Sequence, residues 1–118
     1  MSSSIYLLIP PFTQLNTPYP STAYLKGFLN TKNITSFQSD LGIEVTLKLF
    51  SSDGLKSVFN LCPSPGDEKW KEISDNAKRI IYLKSEYLNT IETVISFLQG
   101  NCSTMAYQIS KRNFLPEA

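Results

Sequence analysis

With 118 residues the chain has the length of one domain, able to hide about two-thirds of its unfolded-state surface around a single core. Eleven Lys and Arg against ten Asp and Glu leave a formal charge of +1, too little to attract a nucleic acid. There is no histidine, which removes Ser-His-Asp and Cys-His catalysis, imidazole metal ligation and a near-neutral pH switch together.

Met1-Ser2-Ser3-Ser4 leads into the apolar run Ile5-Tyr6-Leu7-Leu8-Ile9, which stops at Pro10-Pro11. That run is far short of the ~20 residues of a membrane span. It carries neither a basic flank nor a small-residue cleavage site, so the expectation is a cytoplasmic chain with no membrane partner. A continuous apolar run reads as a strand buried on both faces, the mark of a parallel sheet. Thr13 to Asn16 then form a polar loop, and Pro18 and Pro20 suit the first turn of a helix, with Thr17 or Ser21 as its cap. Ala23, Tyr24 and Phe28, flanked by Leu25 and Leu29, form the apolar face expected to press on the first strand. Ile34 to Gln38 is short and β-prone. Strand, helix and strand therefore fill about 35 residues, the size of one crossover unit.

Residues 43–50 read two ways. Ile43-Glu44-Val45-Thr46-Leu47-Lys48-Leu49 alternates apolar and polar, which with Asp40-Leu41-Gly42 as a turn makes a return strand. Leu41, Val45 and Leu49 also recur every four residues, and Glu44 precedes Lys48 by four, which makes a helix. After Asp53-Gly54 a helical pattern runs through Leu55, Val58, Phe59 and Cys62 and ends in the loop Pro63-Ser64-Pro65-Gly66. From Asp67-Glu68 onward Trp70, Ile73, Ala77, Ile80, Tyr87, Ile91, Val94 and Leu98 advance in steps of three and four, with a miss at Lys84. The expectation is two helices meeting near Lys84-Ser85, since one helix of about 30 residues exceeds the ordinary globular length. Gly100 is placed to end the second, and a short helix carries Met105, Ala106 and Ile109.

Cys62 and Cys102 stand 40 positions apart and read as two free core thiols. The glycines at 27, 42, 54, 66 and 100 are isolated, so no phosphate-cradling loop can be built. Asp40 and Glu44 read as capping and surface charge rather than a catalytic pair. The polar loop Thr13-Gln14-Leu15-Asn16-Thr17 has the best claim to a site, because it follows the carboxyl end of a parallel strand, where open α/β sheets bind ligands. Asp40, after the second strand, shares that rim. Two parallel strands leave unpaired edges. The expectation is a chain that belongs to something longer, or an edge capped by a helix or by a second copy.

The block Ile9-Pro10-Pro11-Phe12-Thr13-Gln14-Leu15-Asn16-Thr17-Pro18-Tyr19-Pro20, with Ala23-Tyr24-Leu25 and Gly27-Phe28-Leu29, resembles the start of radical-SAM Fe–S oxidoreductases that carry an N-terminal cobalamin-binding-type domain. The likeness continues at Asp40-Leu41-Gly42-Ile43-Glu44, Leu47 to Ser51, Val94 to Gly100 and Phe114-Leu115-Pro116-Glu117. It implies an α/β fold: a partial Rossmann-like, flavodoxin-like βαβ unit with parallel strands 5–9 and 34–39, helix 20–32, and a helix rather than a strand at 43–50. A mostly helical half follows. The implied layout is a single domain over 1–118, divided into a βαβα unit 1–62, a loop 63–66 and a helical part 67–118.

The resemblance also implies that S-adenosylmethionine and the 4Fe–4S cluster belong to a downstream domain. The C-x-x-x-C-x-x-C motif is missing here, and two cysteines cannot replace its three thiolates. The cobalt-ligating D-x-H-x-x-G signature is missing too, which leaves cobalamin open as a ligand but without axial ligation from this chain. Thr13, Gln14, Asn16, Thr17 and Asp40 carry over as cofactor-binding rim residues by position. The implied role is one wall of a cofactor or substrate cleft, inactive alone, with the downstream radical-SAM domain as partner. The competing expectation is a helical interaction module that dimerises through a strand edge or the 70–98 stripe.

Overall fold

The computed structural model describes residues 4–17 and 19–117, so the expectation for Pro18 lies outside the described residues. The fold is mixed α/β, with two parallel strands and a mostly helical remainder. The chain forms two compact units, Met1–Leu47 and Lys48–Ala118.

In the first unit β1 (Ile5–Ile9) and β2 (Ser36–Asp40) pair in parallel, Ile5 opposite Ser36 and Ile9 opposite Asp40. The helix α1 (Ser21–Thr31) connects them and packs on both. Its end explains why β2 starts at Ser36 rather than at residue 34. Asn33, at φ 54°, donates its amide to the Asn30 carbonyl, and the Ile34 amide reaches the Leu29 carbonyl. That paired closure is a Schellman turn; it uses Asn33 and Ile34 to end the helix, so the strand begins after them. The amino end has no side-chain cap; Pro20 stands there, and neither Thr17 nor Ser21 serves.

Two burial expectations are corrected. β1 is covered on one face only: Ile9 is buried and Leu7 half-buried, whereas Tyr6 and Leu8 are 59% and 52% exposed. Side chains alternate across a strand, so a continuous apolar run needs cover on both faces to be buried throughout, and within this unit one face lacks it. On α1 the half-buried stripe is Thr22, Lys26 and Leu29, while Tyr24, Leu25 and Phe28 are exposed. Leu29, on this stripe, also accepts the Ile34 amide with its carbonyl where the helix closes.

α2 (Leu41–Leu49) resolves residues 43–49 as helix, with Phe50 in the turn that follows. The alternating pattern lost to Asp40, whose carboxylate accepts the Ile43 amide at 3.1 Å and so starts a helix directly at the end of β2.

In the second unit α3 (Ser52–Leu61) packs on α5 (Lys84–Leu98), and α4 (Asp75–Tyr82) also packs on α5. α4 and α5 meet at Leu83, within one residue of the break expected from helix length. Residues 67–74 are not part of α4 as the periodicity suggested. Glu68–Lys71 is one 3-10 turn, and Ser74 starts α4 afresh by accepting the Ala77 amide at 3.2 Å. Gly100, at φ 80°, closes α5 with amide bonds from Gly100 to Phe97 and from Asn101 to Ser96, and α6 (Met105–Ser110) follows. Cys62 and Cys102 are free and half-buried.

Candidate functional site

Both strands of a parallel pair end on the same side, so the loop after β1 and the start of α2 after β2 must leave the sheet together. What lets them approach is Gly42. It is buried, and a Cβ added there would stand 2.8 Å from Thr13 Oγ1, 3.1 Å from Asp40 Oδ1 and 3.6 Å from the Pro10 carbonyl oxygen. A side chain there would crowd Thr13 and Asp40, whose side chains would have to turn aside. Thr13 in turn donates its hydroxyl to the Pro10 carbonyl at 3.4 Å, which folds the loop back on the end of β1.

Of the five residues expected to form the rim, the structure thus brings Thr13 and Asp40 together across Gly42. Both polar groups are engaged: Asp40 Oδ1 caps α2, and Thr13 closes its own turn. Gln14, Asn16 and Thr17 lie further along the loop and are exposed. Thr17 donates to the Asn16 side-chain oxygen at 3.5 Å. Their amides and hydroxyls are free to turn toward a ligand, at the cost of ordering an exposed segment. Among the described residues no cluster of three or more Cys, Asp or Glu side chains is arranged to hold a metal ion.

Sequence reasoning missed Gly42. The tripeptide Asp40-Leu41-Gly42 reads as turn chemistry, which accounts for the glycine without the space it leaves for Thr13. The signal that could have found it is the pairing of a polar loop after one parallel strand with a glycine two residues beyond the end of the next.

The outer face of the sheet is the other exposed feature of this unit. Tyr6 and Phe37 stack with ring centroids 6.1 Å apart, and the Tyr6 hydroxyl shares a 2.8 Å hydrogen bond with Ser39 Oγ. Among the described residues the sheet has two strands, so each has an unpaired edge. No described helix is long and apolar enough to cross a membrane. Comparisons with protein-family models, with curated proteins and with solved structures return no match.

Proposed function

We propose that this chain is the N-terminal, cobalamin-binding-type region of a cytoplasmic radical-SAM Fe–S oxidoreductase, forming one wall of a cofactor or substrate cleft and catalytically inert by itself. The observation that supports it best is the close approach of Thr13 to Gly42 at the carboxyl end of a parallel strand pair, the place where open α/β sheets bind ligands. The residues present suit cobalamin in one respect only. Gln14 and Asn16 offer exposed amides to polar groups on a ligand's edge, but with no histidine the chain supplies no imidazole to cobalt. They do not suit a 4Fe–4S cluster, whose three thiolates exceed the two cysteines here, and that cluster is assigned to a downstream domain of the same polypeptide. Cobalamin, when held, supplies organometallic chemistry at cobalt. The part of this chain is to bind and orient: Gly42 and Thr13 fix the loop, and Gln14, Asn16 and Thr17 meet the ligand's polar periphery.

The test has two arms. Reading the gene beyond codon 118 is expected to reveal C-x-x-x-C-x-x-C, and an immediate stop codon overturns the family assignment. Titrating the full encoded polypeptide with hydroxocobalamin is expected to shift its visible spectrum saturably; an unchanged spectrum removes the cofactor part.

A second reading, self-association through a strand edge, has one favouring observation. Tyr6, Leu8 and Phe37 are all more than half exposed on one face of a sheet with unpaired edges. Sedimentation decides it: a dimer at high concentration that Tyr6→Lys abolishes supports it, and a monomer throughout removes it.

A further inference from the structure

Among the described residues three non-glycine residues take positive φ: Phe12 at 64°, Asn33 at 54° and Arg112 at 57°. Asn33 and Arg112 each follow the last turn of a helix, and their amides bond back to Asn30 and Ile109. The left-handed conformation there is offset by the carbonyls it satisfies. Phe12 ends no helix. It stands third in the turn Pro10-Pro11-Phe12-Thr13, behind a proline, where positive φ calls for glycine or asparagine. For a bulky residue such a φ is an outlier. Burial of the ring does not offset it either, because Phe12 is 89% exposed.

A strained backbone that displays an aromatic ring to solvent stabilises nothing in the free chain, and strain of this kind collects where ligands are clamped. The turn is also tied to its surroundings. Thr13 bonds back to Pro10, and the space at Gly42 seats Thr13 against the start of α2. The ring is therefore presented from the rim, next to the tie between the loop and the start of α2.

We infer that Phe12 is a ligand-contact residue, whose ring meets the flat apolar face of the molecule bound at the carboxyl ends of β1 and β2. An aromatic ring recognises a flat conjugated surface by offset stacking, while the exposed amides of Gln14 and Asn16 on the same loop suit polar substituents at that surface's edge. The ligand class is a flat conjugated ring system with polar substituents at its edge. This rests on the cobalamin reading above, which names one member of that class.

The experiment compares wild type, Phe12→Asn and Phe12→Tyr in the full encoded polypeptide. Asparagine accepts positive φ without the ring; tyrosine keeps both the ring and the strain. Each is melted without ligand and then titrated with hydroxocobalamin by its visible spectrum. F12N is expected to raise Tm by about 2–5 °C, because the strain is released. It is also expected to weaken binding about tenfold, with F12Y within about threefold of wild type. A fall in Tm for F12N means that the ring packs within the protein, and overturns the inference. Equal binding by wild type and F12N overturns it and leaves the cobalamin reading standing. A wild-type protein that takes up no hydroxocobalamin removes both.

Discussion

The two units differ in how their segments are tied to one another. In Lys48–Ala118 the ends are tied by side chains from their own and neighbouring segments. Ser51 accepts the Gly54 amide at 3.0 Å and donates to the Lys48 carbonyl at 2.9 Å, while Glu92 of α5 accepts the Ser52 amide at 2.8 Å. Ring pairs add to this, Phe59 with Tyr87 and Trp70 edge-on to Tyr82. In Met1–Leu47 the cover is one-sided: α1 presents Tyr24, Leu25 and Phe28 outward, and the sheet leaves Tyr6, Leu8 and Phe37 exposed. The second unit also exposes large apolar side chains, Leu61, Tyr82, Leu98 and Tyr107, each on a different helix. In the first unit the exposed apolar side chains group on one face of the sheet and one side of α1, the kind of contiguous patch that interaction surfaces share.

The sharpest way to break this comparison is to substitute the one glycine in each unit that a neighbour crowds. A Cβ at Gly54 would meet the backbone carbonyls of Lys48 and Leu49, which cannot move without unwinding the junction of α2 and α3. Gly54→Ala is expected to cost about 3 kcal/mol by urea denaturation. In Gly42→Ala the nearest atoms are side-chain oxygens that can rotate away, so the expected cost is smaller, about 2 kcal/mol. Adding Thr13→Ala should recover part of that loss, giving a coupling of about 0.5–1 kcal/mol in the double-mutant cycle. Strict additivity would mean that Thr13 and Gly42 do not share the rim.

How much of this was legible in the sequence follows from the range of the forces involved. Local signals carried the βαβ start, the break near Lys84 and the closing role of Gly100, because apolar spacing and glycine act over a few residues. The helix at 41–49 was left open by periodicity, since Ile43 to Leu49 satisfies both the strand and the helix period. The carboxylate of Asp40 decided it, a contact that spacing alone does not weigh. On α1 the apolar stripe shows which residues want cover, and not whether the unit supplies it, so Tyr24, Leu25 and Phe28 face outward. At the rim the polar loop is legible from its residues, whereas the role of Gly42 depends on how closely two segments approach and the strain at Phe12 on a backbone conformation its residue type disfavours.

Caps come next in size. Ser51→Ala removes the acceptor for Gly54 and the donor to Lys48 together, and is expected to cost about 1–1.5 kcal/mol. Ser74→Ala removes a single bond at the start of α4 and should cost less, about 0.5–1 kcal/mol. If S74A proved the more damaging by urea denaturation, the tie between α3 and its surroundings would matter less to the second unit than the hydrogen bonds suggest.

The smallest effects belong to the surface ion pairs, and they separate charge from packing. Lys56 and Asp53 sit 3.6 Å apart with both side chains more than half exposed, a geometry screened by water, so Lys56→Ala should leave the urea midpoint unchanged. Lys78 and Asp75 are closer, at 3.1 Å, and differ in kind: the Lys78 side chain is only 25% exposed while Asp75 is 95% exposed. The buried part of Lys78 is its aliphatic stem. Lys78→Met keeps that stem and should match wild type in the urea midpoint, whereas Lys78→Ala strips it and should cost about 0.5–1 kcal/mol. A methionine variant as unstable as the alanine one would give the ion pair, not the stem, the stabilising role on α4.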